Sequence, residues 1–345
     1  MTEYFRPLVQ TGPRRPADAV PLAGGAHWFT MVERLQRGRP SRFVPAQELP
    51  ADALDRLSRP RPPIAGLDMD QPRLMGILNV TPDSFSDGGL FAAPDAALAQ
   101  ARALAAQGAD ILDIGGESTR PGAATVPVRD EIERTAPVIA ALRAGHDGPV
   151  SIDTRKAAVA EAALEAGATI LNDVSAMSYD DAMARLAART GAPICLMHAQ
   201  GTPEVMQKAP RYDDVLLDVY DYLAGRVEMA VEAGISRDRI IIDPGIGFGK
   251  TLEHNLTLLA GLSLFHGLGC AVLLGASRKK FIGTLGGTDE ARARAPGSVG
   301  VALAGVAQGV QILRVHDIAE TRQALTLWWA AVQGAAQTAG QGGRP

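Results

Sequence analysis

The sequence predicts a closed (β/α)8 TIM barrel carrying an N-terminal extension. From Leu74 onward, short apolar runs alternate with alanine-rich stretches of helical periodicity. The runs are continuously apolar, as in parallel strands covered on both faces. Eight of them fall between residues 74 and 316, and a barrel of this kind takes about 250 residues. Repetition alone does not prove closure, so a doubly wound open sheet is the alternative architecture.

In chain order the strands are LMGILN (74–79), DILDIG (110–115), PVSID (149–153), TILND (169–173), PICLMH (193–198), RIIIDP (239–244), AVLLGAS (271–277) and QILRVH (311–316). Helical patterns such as DAALAQARALAAQ (95–107) and RDEIERTAPVIAAL (129–142) lie between them. Residues 1–72 differ. They are rich in Pro and Arg and end in SRPRPPI (58–64), which reads as a stiff connector. Within them HWFTMVERLQRG (27–38) predicts a short helix. The division is therefore an extension of unassigned role at 1–72, a barrel at 73–335 and a flexible C-terminal tail at 336–345.

Composition narrows the function. A net charge of −4 implies no broad basic surface, which argues against nucleic acid as a partner. The only two cysteines, Cys195 and Cys270, sit in apolar runs and read as buried thiols; they cannot build a disulfide framework or a zinc cluster. The first residues, MTEYFRPLVQ, lack a signal-peptide pattern, and no apolar run reaches the roughly 18 residues of a membrane helix. A cytoplasmic protein is expected.

Nearly every strand ends in a polar residue: Asn79, Glu117 just past its strand, Asp153, Asn172, His198, Asp243, Ser277, Arg314 and His316. Barrel enzymes place their active sites at these C-terminal ends. Asp153, Asn172 and Asp243 alternate with apolar neighbours and so point into the mouth. Two carboxylates and an amide around one cavity suit a flat heterocycle rich in N–H donors, such as an aminopyrimidinone. Capping of the following helix is the plainer reading for any single Asp, Asp173 included. Arg314 and His316, two apart, share the inward face, and Ser277-Arg278-Lys279-Lys280 follows the seventh strand. Phosphate sites of barrels lie beside strands seven and eight. An inward Arg is hard to explain without an anion, although one lysine of the pair reads as solvated.

Two long loops, NVTPDSFSDGG (79–89) and GGESTRPGAA (115–124), have the Gly, Pro, Ser and Thr content of active-site loops. GIGFGKT (245–251) imitates a nucleotide loop but has one residue too few between its first Gly and the Gly-Lys pair. It reads as a tight turn showing Phe248 to the pocket.

Taken together, MGILNVTPDSFSDGG (75–89), GADILDIGGESTRPGA (108–123), IDTRK (152–156), ILNDVSA (170–176), CLMHAQGTP (195–203), IIDPGIGFGK (241–250), LGASRKKFIG (274–283) and RVHD (314–317) resemble the successive signatures of dihydropteroate synthases, in order, over residues 74–330. The resemblance implies a transferase condensing 6-hydroxymethyl-7,8-dihydropterin pyrophosphate with 4-aminobenzoate to give 7,8-dihydropteroate and pyrophosphate, with Mg2+ as cofactor, sulfonamides as inhibitors and a homodimer as assembly. Asp153, Asn172, Asp243 and Lys279 would hold the pterin, lined by Ile77, Val174 and Met197. Asn79, Arg314 and His316 would hold the pyrophosphate, Asn79 also near the metal. Thr119, Arg120, Pro121, Phe248 and Lys279 would shape the aminobenzoate site. The implied catalytic set is Asp153, Lys279 and Asn79. Lys280 stands where several family members carry Ser, and residues 1–72 exceed the simplest family pattern. The alternatives are a pterin-binding methyltransferase, which would not need a pyrophosphate site, and a catalytically silent pterin-binding paralogue, which would have lost loop residues.

Overall fold

The computed structural model describes residues 2–81, 93–118 (side chains from 95), 125–201 and 210–334. The tail expected at 336–345 lies outside them.

The extension begins with β1 (Tyr4–Pro7), β2 (Val20–Pro21), β3 (Trp28–Phe29), β4 (Met31–Leu35) and β5 (Arg42–Pro45), followed by α1 (Ala51–Ser58). β1, β4 and β5 form an antiparallel sheet in that order, and β2 pairs with β3. The helix expected at 27–38 is therefore two strands. Phe29 and Val32 mimic a helical i, i+3 pair, but their aromatic and β-branched side chains suit a pleated surface, and two neighbouring strands saturate the backbone of β4. Phe29, Val32, Leu22 and Leu57 centre a small core.

The segment after α1 is not a free connector. Arg61 is buried and donates to the carbonyls of Arg56, Arg59, His266 and Cys270. Ile64 and Met69 then enter the floor of the next element.

That element is a barrel of β6 (Arg73–Asn79), β7 (Ile111–Gly115), β8 (Val150–Asp153), β9 (Ile170–Asp173), β10 (Ile194–Met197), β11 (Ile240–Asp243), β12 (Ala271–Leu274) and β13 (Ile312–Val315). All eight neighbours pair in parallel and the ring closes between β13 and β6. The open-sheet alternative is thereby excluded. Around it run α2 (Ala93–Ala106), α3 (Val128–Arg143), α4 (Ala157–Glu165), α5 (Ala182–Thr190), α6 (Val215–Glu232), α7 (Leu252–Ala260), α8 (Lys280–Gly286), α9 (Ala295–Val306) and α10 (Ile318–Gln333).

The strand period of two divides the apolar residues into two cores. Outward residues such as Leu112, Ile152, Leu196 and Ile242 pack on helix residues such as Val138, Val159 and Leu223. Inward residues, among them Met75, Ile111, Ile170, Ile241 and Ile312, fill the lower barrel together with Ile64 and Met69. Full burial of each such side chain contributes about 1.5–3 kcal/mol. The extension thus seals the N-terminal end of the barrel, and the C-terminal end is left to carry polar groups.

Candidate active site

Two residues beyond the apolar floor, the inward positions turn polar. Ile111 is followed by Asp113, Ile170 by Asn172, Ile241 by Asp243 and Ile312 by Arg314, while Asp153 ends β8. Arg314 Nε donates to Asp113 Oδ2 and Nη2 to Asp153 Oδ2, each at 2.6 Å. Asn172 Nδ2 donates to Asp113 at 3.2 Å. Asp153 Oδ1 is buried and has no hydrogen-bond partner among the described residues. An unmet buried acceptor costs about 1–3 kcal/mol, so this oxygen fits a ligand with N–H donors. Burial pushes Asp153 up to about 7; Arg314 opposes the rise and Asp113 adds to it. Burial also raises Asp243, against the pull of Lys279.

Asp243 opens the turn after β11. Its Oδ1 accepts from Gly245 N at 2.7 Å, and Phe248 N donates to Gly245 O. Gly245, Gly247 and Gly249 all have positive φ. A Cβ at Gly245 would lie 1.9 Å from the His198 carbonyl oxygen, so only glycine lets the turn rest on the end of β10. Half-buried Phe248 meets Lys279 Nζ 4.1 Å from its ring centre, and the same Nζ donates to Ile246 O. Burial lowers Lys279 to about 7, although Asp243 works against it.

At the rim, Asn79 is half-buried at the end of β6, opposite Gly115. His316 is tied to Ser277 through its backbone N–H and Nδ1. Ile77 and Val174 are half-buried and Met197 is buried. Arg278 turns away to pair with Asp317, and Lys280 is exposed. Glu117 bonds Arg155 and Lys156, and Lys156 also reaches Glu131. Burial would raise Glu117, but Lys156, the Val126 N–H and Arg155 outweigh it and hold the carboxyl low.

Comparison with known proteins decides the family. The pterin-binding enzyme model matches residues 75–316. The dihydropteroate synthase of Neisseria meningitidis serogroup C is 48% identical over 267 residues, 76% of this chain and 94% of that protein. The Xanthomonas albilineans dihydropteroate synthase with 4-aminobenzoic acid is 48% identical with a TM-score of 0.74, covering 77% of this chain and 96% of that one. The same enzyme in complex with 7,8-dihydropteroate is 45% identical with a TM-score of 0.71, covering 77% and 95%. The chain belongs to the dihydropteroate synthase family.

Membership makes the chain a transferase. Of the residues expected for the dihydropteroate synthase site, Asp153, Asn172, Asp243, Lys279, Phe248 and Arg314 converge at one end of the barrel. Thr119, Arg120, Pro121 and most of the loop at 79–89 lie outside the described residues. Contrary to the expectation that an inward Arg needs an anionic ligand, Arg314 does not require a phosphate to explain its burial, because Asp113 and Asp153 flank it. Its Nη1 takes part in neither pair. Asp173 caps no helix either; it accepts from Ser175 and Met177 N–H in the turn before α5. Asp113, not among the expected site residues, lies inside its strand and not at its end. Its alternation with Leu112 and Ile114 was the signal that places it inward. Lys250, also not among the expected site residues, is buried beside His198, and the false nucleotide motif that contains it gives no sign of this.

Proposed function

We infer that the chain joins 6-hydroxymethyl-7,8-dihydropterin pyrophosphate to 4-aminobenzoate, releasing 7,8-dihydropteroate and pyrophosphate. One observation carries this reading beyond family membership. A buried carboxylate oxygen on Asp153, without a partner among the described residues, stands with Asn172 and Asp243 at the barrel mouth, and Arg314 and Lys279 stand beside them.

Asp153, Asn172 and Asp243 hold the N–H-rich pterin edge, and Lys279 donates to its acceptors. Ile77, Val174 and Met197 give the ring apolar walls. Asn79, His316 and Arg314 take the pyrophosphate, Arg314 through its remaining donors. The exocyclic C–O bond breaks and its electron pair departs with pyrophosphate. The nearby carboxylate of Asp153 stabilises the positive charge left on the pterin. The aniline nitrogen then forms the new C–N bond and loses a proton. Phe248, Lys279 and the segment Thr119, Arg120, Pro121 shape the site from which it attacks. No group of three His, Cys, Asp or Glu side chains suited to a metal occurs among the described residues. Asn79 offers a neutral oxygen, which fits Mg2+ brought by the pyrophosphate, since that ion keeps waters and binds substrate phosphates. When bound, it would neutralise the leaving group. A cytoplasmic homodimer is the accompanying expectation; among the described residues no helix is long and apolar enough to cross a membrane.

A coupled assay for pyrophosphate, with and without 4-aminobenzoate, tests the function. Release that requires the amine supports it. Release indifferent to the amine, or none with both substrates present, overturns it.

A further inference from the structure

The turn after β11 is held from both sides by lysines. Lys279 takes the Ile246 carbonyl from the mouth side. Lys250 holds the turn at a second point. Its side chain is buried, and its Nζ lies 2.8 Å from His198 Nδ1, 3.0 Å from Phe248 O and 3.4 Å from His198 O. Among the described residues Lys250 forms no ion pair with a carboxylate. A buried amine with only neutral partners is costly, and space-filling alone would favour an apolar side chain. The donors of Lys250 therefore have a task, and the bonds show which: they tie the Phe248 carbonyl to the end of β10.

The adjoining peptide is fixed as well. Tyr212 Oη donates to Gly249 O at 2.8 Å. Gly249 has φ 63°, and a Cβ there would stand 2.6 Å from Gln200 O. With the peptide following Phe248 held on both sides, the direction in which Phe248 leaves the backbone is set. Its ring is then presented to Lys279 Nζ.

We propose that Lys250 is a positioning residue for the amine substrate: by anchoring the Phe248 carbonyl to His198 it sets the ring of Phe248 against 4-aminobenzoate without touching the substrate itself. The proposal rests on the placement of Phe248 in the aminobenzoate site given under Proposed function.

Steady-state kinetics of the full chain test it, using Lys250→Met, Phe248→Leu and the double variant. Lys250→Met should raise KM for 4-aminobenzoate about tenfold, a change well within the coupling seen between contacting residues. KM for the pterin pyrophosphate should stay within about twofold. If Lys250 acts through Phe248, the double variant should be no worse than Phe248→Leu within about twofold, because one interaction cannot be lost twice. Lys250→Gln, which keeps a donor, should restore part of the loss. Equal shifts of both KM values, or effects that multiply in the double variant, overturn the proposal. If Phe248→Leu raises the aminobenzoate KM and Lys250→Met does not, the proposal alone falls. If Phe248→Leu leaves that KM unchanged, the placement of Phe248 is wrong and the proposal falls with it. Loss of fold in both Lys250 variants also overturns it, since the residue would then serve the fold and not the amine.

Discussion

Arg314 and Asp113 are joined through the centre of the barrel mouth, Nε to Oδ2 at 2.6 Å. Asp113 is fully buried, and it also accepts from Asn172. A residue from β7 thereby aligns an expected anion-binding cation and an expected pterin-binding amide. Asp113→Asn keeps the shape and removes the charge. We expect kcat/KM to fall about 10- to 100-fold, in line with about 1.5–3 kcal/mol for a hydrogen bond to a charged group. The double variant with Arg314→Ala should be scarcely worse than Arg314→Ala alone. Independent, multiplying losses in the kinetics would show that Asp113 acts by another route.

Asp243 gives one oxygen to its own turn, through Gly245 N–H. The other is the oxygen expected to meet the pterin. Asp243→Ala should weaken binding of a non-reactive pterin by about 2–3 kcal/mol, roughly 30- to 150-fold in affinity. Calorimetry on a variant with native circular dichroism measures it, and unchanged affinity would remove Asp243 from the pterin site.

Lys156 bridges two carboxylates that are 5% and 1% exposed. Lys156→Met would leave Glu117 and Glu131 facing each other without their shared cation. Breaking a buried pair costs about 3–5 kcal/mol, and denaturant unfolding at neutral pH should show a loss of that size. The sign with pH follows from Glu117, which the network holds below its ordinary value. Its contribution to wild-type stability is present above the unfolded-state carboxyl pKa and is lost as pH falls through the lowered folded value. The gap between wild type and variant should therefore narrow under acid. A gap that stays constant with pH would mean that the loss is one of packing.

The sequence carried the barrel well for a physical reason. Strands such as Ile240–Asp243 are covered on both faces, so they read as unbroken apolar runs whose final polar residue stands out. Asp153 and Asp243 were legible because they end their strands, and Asn172 because it stands one residue before the end of its own. Asp113 lies one turn of the pleat deeper, inside an otherwise apolar strand, where only its parity with Ile111 and Gly115 marks it as inward. Lys250 was illegible because its role depends on His198, which lies past the end of the preceding strand and comes near only when β10 pairs with β11. The segment at 27–38 failed differently. Its strands exist because Val20–Pro21 pairs with Trp28–Phe29 and because Tyr4–Pro7 and Arg42–Pro45 pair with Met31–Leu35, and non-local pairing leaves little trace in a local pattern.

Two groups of the site are displaced toward the same value from opposite sides. Burial lifts Asp153 to about 7 and lowers Lys279 to about 7. A pterin edge donating to Asp153 favours its ionised form. At pH 6 that carboxyl is mostly protonated, so binding must expel a proton. At pH 8 it is already ionised and expels little. A pterin acceptor facing Lys279 favours the ammonium. At pH 8 the amine is mostly neutral, so binding must take up a proton, whereas at pH 6 it is already charged. Pterin binding should therefore release protons at pH 6 and absorb them at pH 8, with the sign reversing near neutrality. Titration calorimetry in two buffers of different ionisation enthalpy measures the proton count directly. Asp153→Asn should abolish the release limb alone, and Lys279→Met the uptake limb alone. Proton exchange of one sign at both pH values would mean that the pterin does not engage these two groups as a pair.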